Sequence, residues 1–412
     1  MGSAHPTIDR AQRNSYLGVI LVQQLSKPIY LDYNATTPID PSVFKAMVPY
    51  LTENFGNPSS GHSYGQAAKE AVAEAREKVS GLIGAEDPSE IVFTSGGTES
   101  DNQAIVGSAS ARSNGRKHII TSRIEHPAVM ETCRYLKERF GFRVTYLRVD
   151  KYGSVNPQDV EDSITNDTFL ITIMHANNEV GTIEPIEEIG EIARRRGILF
   201  HTDAAQSCGK IEVNVDKLNV DILTIAGHKM YAPKGIGALY VRKGTRIDGF
   251  VHGAGQESGR RAGTENVPYT VGLGEASEIA GENLHDFRER VAALRDQLHR
   301  RIAEQIGEGR VSLNGHPERR LPNTLNVSIA GIVGEQLLAE IPHIAASTGS
   351  ACHSGSFEPS KVLLEMGLSR KEALGTLRLS LGLRSSEGEV KVASKLIAEY
   401  CLKTAKARYT AS

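Results

Sequence analysis

From about residue 88 to 242, short apolar runs alternate with amphipathic stretches of helical period. The runs are "EIVFT", "KHIITS", "RVTYLRV", "FLITIM", "ILFHT", "DILTI" and "GALYV". Between them lie segments such as "PAVMETCRYLKERF" and "IEEIGEIARRR". Strands alternating with helical stretches are the signature of βαβ units. The pattern therefore predicts βαβ units around a mostly parallel, seven-stranded sheet, an α/β fold. After Gly263 the pattern changes. A long helical stretch, "LHDFRERVAALRDQLHRRIAEQIG", precedes fewer strands and then two helical segments, so a smaller α+β domain is expected from near residue 284.

The 412 residues give ample material for a buried core, and a formal charge of -2 leaves no basic excess for nucleic acid. A small-molecule partner is favoured. The four cysteines, Cys133, Cys208, Cys352 and Cys401, form no CxxC pair, so neither a disulfide framework nor a metal knuckle is indicated. "YLGVILV", Tyr16 to Val22, is far shorter than the roughly 20 residues of a membrane span. Arg10, Arg13 and Lys27 against the single acid Asp9 give residues 1–28 a faint likeness to an organelle transit peptide. Too short and too poor in serine, the segment reads as a plain N-terminal extension of a cytoplasmic protein.

In open parallel sheets ligands collect beyond the carboxyl ends of the strands. Here those ends are polar. "EIVFT" runs into Ser95-Gly96-Gly97-Thr98, and a helix follows at once. A glycine turn opening a helix suits a phosphate, although a tight turn capped by Ser95 or Thr98 reads equally well. Other runs end at His126, at Asn177-Asn178-Glu179, at Asp203 and Gln206, and at Gly227-His228-Lys229. A lysine, a carboxylate, an imidazole and a phosphate turn are the parts that a pyridoxal 5'-phosphate (PLP) site requires. The competing reading of Lys229 is a surface lysine with its stem along the strand. Around Cys352, "STGSACHSG" is small and polar, and predicts a mobile, partly exposed loop in which a thiolate can attack. Arg378, flanked by alternating apolar residues in "GTLRLSLG", fits either a carboxylate clamp or a structural ion pair.

From about residue 29 to 400 the chain resembles the PLP-dependent cysteine desulfurases of the NifS/IscS type, and the related selenocysteine lyases, in the class V aminotransferase family. The likeness rests on "YLDYNATTP", "FTSGGTESDN", "EHPAV", "NNEVGT", "HTDAAQ", "GHKMYAPKGIG", "RRAGTENV", "SACHSG" and "LRLSLG". It implies the fold-type-I PLP architecture. The large domain would span 44–283, with a small domain from 29–43 and 284–412 that carries the Cys352 loop, and the enzyme would be a homodimer. By the same likeness Lys229 corresponds to the lysine bonded to the cofactor and Asp203 to the partner of its ring nitrogen. Gln206 corresponds to the donor toward the ring hydroxyl, and His126 to the stacking, proton-shuttling histidine. Gly97, Thr98 and His228 resemble phosphate-site residues, with Thr264 reaching in from the neighbouring subunit. Asn34, Asn178 and Arg378 would hold the substrate, and Cys352 would take the sulfur as a persulfide.

The implied reaction converts L-cysteine to L-alanine, and the alternative releases selenium from L-selenocysteine. A protein sulfur acceptor has a place in either scheme, and a resident metal does not. One departure stands out: many desulfurases have serine before Gly-His-Lys, donating to the phosphate, whereas this chain has Ala226.

Overall fold

The computed structural model describes residues 27–111, 115–349, 351–353 and 356–409, with the side chains of 351–357 and 406–409 left aside. The expected N-terminal extension falls outside the described residues, apart from Lys27 and Pro28. Strand β1 (Ile29–Tyr30) opens the described chain. All seven apolar runs then form strands: β2 (Ile91–Thr94), β3 (His118–Ser122), β4 (Arg143–Leu147), β5 (Thr168–Thr172), β6 (Leu199–Asp203), β7 (Ile222–Ala226) and β8 (Gly237–Val241). They make one sheet in the order β2-β8-β7-β6-β5-β3-β4. Only β8 runs antiparallel to its neighbours β2 and β7.

The register shows why these runs are apolar on both faces. Leu170 pairs with Leu199 and Ile171 with Phe200. Alternation sends Ile171 and Phe200 into the larger core, which also holds Ile120, Leu223 and Ile225. Leu170 and Leu199 go into a second core on the opposite face, with Ile119 and Phe169. Removing a ring such as Phe200 from such a core costs about 3–5 kcal/mol. The helix Pro127–Phe140 covers that second face with Val129, Cys133 and Leu136. His126 caps its start, Pro127 fixes its first turn, and Gly141, at φ 70°, ends it in the left-handed conformation.

A separate core gathers Ile29 and Leu31 with residues between Phe287 and Cys401. Its sheet is antiparallel and built from β9 (Val311–Asn314), β10 (Thr324–Ile329) and β14 (Thr376–Ser380), in the order β14-β10-β9. The long helices Leu284–Ile306 and Glu387–Tyr409 pack together beside it. A short strand, β11 (Ile344–Ala345), pairs in parallel with β1 and so draws the start of the described chain onto this part.

Cys352 corrects the sequence reading. Its backbone lies in a strand, β12 (Ala351–His353), paired antiparallel with β13 (Ser356–Glu358), with Cys352 opposite Phe357. Small polar composition suggested an open loop. Among the described residues no helix is long and apolar enough to cross a membrane.

Candidate active site

Five strand ends converge. Beyond β2, Gly96 has φ 148°, a conformation that side chains rarely adopt, and a Cβ on Gly97 would stand 3.2 Å from that of Ala226. The turn therefore packs directly on the end of β7, and the helix starting at Gly97 presents its first free N–H groups there. β7 ends in a single 3-10 turn, Gly227–Lys229. The Lys229 amine donates to the backbone carbonyls of Asn34, at 2.6 Å, and Ala35, at 2.8 Å. Asp203 terminates β6, and its carboxylate accepts from the Ala205 N–H at 2.9 Å. Past β3, His126 Nδ1 accepts from the Ala128 N–H at 3.2 Å, which places the proton of the neutral ring on Nε2. Asn178 follows β5.

Together they enclose a cavity of about 310 Å³. Asn34, Gly97, Thr98, His126, Asn178, Asp203, Gln206, His228, Lys229 and Arg378, all anticipated from the sequence, lie along its wall. Burial pushes the Lys229 amine down to about 8; Arg378 pushes the same way, while Asp203 and Asp32 oppose it. Burial raises the Asp203 carboxyl, against the pull of the Ala205 N–H, His126 and Lys229. His126 is held below the ordinary histidine value by burial and by Lys229. Burial and the nearby lysines push His228 down to about 4, so its ring is neutral and shares a 3.1 Å contact with Thr36 Oγ1.

Arg378 makes the structural ion pair considered for it. One arm donates to Asp32 at 2.8 Å and another to the Asn178 carbonyl at 3.2 Å, yet its buried Nε has no partner. Asn34 is occupied on all sides: its amide nitrogen donates to the Asn178 carbonyl and Thr324 Oγ1, and its oxygen accepts from Asn323 and Lys210. Two expected residues stand apart. Thr264 is exposed and is not part of the cavity wall. The side chain of Cys352 lies outside the described residues, but the segment leading to it is anchored to the site. Ser347, five positions earlier, exchanges backbone hydrogen bonds with Arg378, at 2.7 and 3.3 Å.

A model of the class-V aminotransferases matches residues 29–392. The chain belongs to this family. The cysteine desulfurase IscS of Dictyoglomus turgidum is 50% identical over 368 residues, 89% of this chain and 92% of that one. Among solved structures, a NifS-like protein superposes with a TM-score of 0.83 at 39% identity, covering 90% of this chain and 99% of its own. SspA in complex with cysteine gives 0.75 at 42% identity, covering 85% and 98%. As a class-V aminotransferase of fold type I the protein is a PLP-dependent enzyme.

The class-V cavity fits that cofactor on its own terms. An aldehyde needs an amine of lowered proton affinity, and Lys229 is the amine on the cavity wall, pushed down to about 8 with no carboxylate at ion-pair distance among the described residues. A pyridine nitrogen needs a buried acid, which Asp203 supplies, and a phosphate needs the helix start at Gly97. Sequence reasoning missed Asp101. This carboxyl lies within 4.8 Å of Asp203 and His126, one of its buried oxygens is unpartnered, and burial beside Asp203 raises it well above the carboxylate range. The pattern "TESDN" gave no reason to prefer Asp101 over Glu99, which pairs with Arg261 instead. Asp32 and Lys210 were also missed, because contacts between distant segments define them.

Proposed function

We infer that the protein is a cysteine desulfurase that converts L-cysteine to L-alanine and leaves the sulfur as a persulfide on Cys352. The convergence of Lys229, Asp203, His126, Gln206 and Arg378 on one cavity carries this reading. When bound, PLP supplies an electron sink for the bonds broken at the substrate. Lys229 would hold the cofactor, and its amine would move the proton at Cα. Asp203 would keep the ring nitrogen protonated, Gln206 would donate to the ring hydroxyl, and His126 would face the ring. Gly97, Thr98 and His228 would hold the phosphate. Arg378 and Asn178 receive the substrate carboxylate, with Asn34 as the shelf behind them. The Cys352 thiolate attacks the substrate sulfur: an S–S bond forms, the carbon–sulfur bond breaks, and the carbon gains a proton to give alanine.

Thr264 completes the site of a second copy of the chain in this reading. Its exposure supports that role, as do the exposed side chains of Phe44, Leu51, Phe55 and Tyr64, an apolar surface for a symmetric partner to cover. We divide the chain into a large unit, 44–283, and a small unit, 29–43 with 284–412, in keeping with the two main cores. A protein that accepts the sulfur belongs to the same proposal.

The experiment is alanine release by the PLP-loaded enzyme from L-cysteine and L-selenocysteine in parallel, with Lys229→Ala as control. Turnover of cysteine is expected, and turnover of selenocysteine alone would make the protein a lyase. Ala226, where many desulfurases have serine, is the feature that keeps selenocysteine in the test.

A further inference from the structure

Behind the cavity wall, Lys210 is buried to 4% exposure, with no carboxylate at ion-pair distance among the described residues. Burial pushes its amine well below the usual lysine range, and Lys229 and Arg378 add to the effect. Protonated or not, the amine still donates. It reaches Gln206 Oε1 at 2.7 Å and Asn34 Oδ1 at 3.4 Å. The other end of the Gln206 amide, Nε2, donates to the Asn34 carbonyl at 2.9 Å, and that same carbonyl accepts from the Lys229 amine at 2.6 Å. Lys210, Gln206, the Asn34 backbone and Lys229 thus form one continuous hydrogen-bonded chain.

A glutamine amide has an accepting end and a donating end, and turning it over exchanges them. The Asn34 carbonyl can only accept, so it fixes Nε2 on its side, and Lys210 takes up Oε1. The second Nε2 hydrogen then remains free to donate. We propose that Lys210 is a positioning residue that holds Gln206 with its N–H, not its carbonyl, toward the cofactor's ring oxygen. Lys210 lies outside the cavity wall and acts chiefly through Gln206, its contact with Asn34 Oδ1 being the longer one. The proposal rests on the reading of Gln206 as the donor to the ring hydroxyl.

A donor at that oxygen favours its anionic form and lowers the pH at which the lysine-bound cofactor loses its proton and changes colour. The test measures that midpoint from the visible absorption band of the PLP-loaded protein. Lys210→Met should raise it by about one pH unit. Gln206→Ala should raise it by a similar amount, and the double variant by no more than Gln206→Ala alone, because both changes remove one interaction. If Lys210→Met does not fold, Lys210→Gln carries the same test, since its amide is too short to reach Oε1 and the same upward shift is expected. An unmoved midpoint in the folded Lys210 variant, with Gln206→Ala displaced, overturns the proposal, and so do additive shifts. An unmoved midpoint in Gln206→Ala removes the reading of Gln206 itself and the proposal with it.

Discussion

The Lys229 amine lies 2.6 Å from the backbone carbonyl of Asn34, a residue 195 positions earlier in the chain. Two carbonyls hold the amine in place while burial and Arg378 keep its proton affinity low. An amine depressed to about 8 is about one tenth free at pH 7, far more than an ordinary lysine, and only the free form attacks the aldehyde of PLP. The rate of PLP capture by the apo-protein should therefore rise with pH, reach half its maximum near pH 8 and level off above it. Stopped-flow absorption from pH 6.5 to 9.5 checks this. An ordinary lysine would still be gaining rate at the top of that range, because its midpoint lies near 10.4.

Arg378 pairs with Asp32 and keeps a buried Nε without a partner. Lysine keeps the charge but loses the planar fork that can meet a carboxylate at two points. Arg378→Lys should raise KM for L-cysteine about tenfold or more, a loss of about 1.4 kcal/mol in binding, with a smaller change in kcat. Steady-state kinetics decide it, and an unchanged KM would restrict Arg378 to its ion pair with Asp32.

Ala226 presents a methyl group beside the Gly97 turn, where a hydroxyl could donate to the phosphate. One added hydrogen bond contributes about 1 kcal/mol. Ala226→Ser should tighten PLP binding about fivefold in a titration of the apo-protein. A weaker or equal affinity would mean that the phosphate does not approach this position.

If Thr264 serves a neighbouring copy, two defective chains can repair each other. Thr264→Ala homodimers should lose PLP readily, and Lys229→Ala homodimers should be inactive. Mixed dimers would contain one intact site and recover activity on mixing, whereas no recovery would place Thr264 outside the partner's site.

Much of this was legible in the sequence because the physics is local. The inner runs are apolar on both faces, as Leu170 and Ile171 show by entering different cores from adjacent positions. The polar residues that interrupt those runs stand at strand ends, where the parallel sheet leaves a crevice, so His126, Asp203 and Lys229 could be picked out directly. Asp32, Asn323 and Lys210 could not. Asp32 meets Arg378 across 346 positions, Asn323 meets Asn34 across 289, and Lys210 matters only through the Asn34 and Gln206 amides. No periodicity encodes such contacts. The hairpin carrying Cys352 was missed for a different reason: the composition there resembled an open loop.

The central claim is that sulfur from the substrate comes to rest on Cys352. The most direct measurement is a single turnover with sulfur-labelled L-cysteine, followed by quantification of alanine and mapping of the labelled persulfide by peptide mass. The account expects one alanine per site and the label on the peptide containing Cys352, with both lost in Cys352→Ala while PLP stays bound. Full alanine formation from cysteine by Cys352→Ala, or label on Cys133, Cys208 or Cys401, would contradict it.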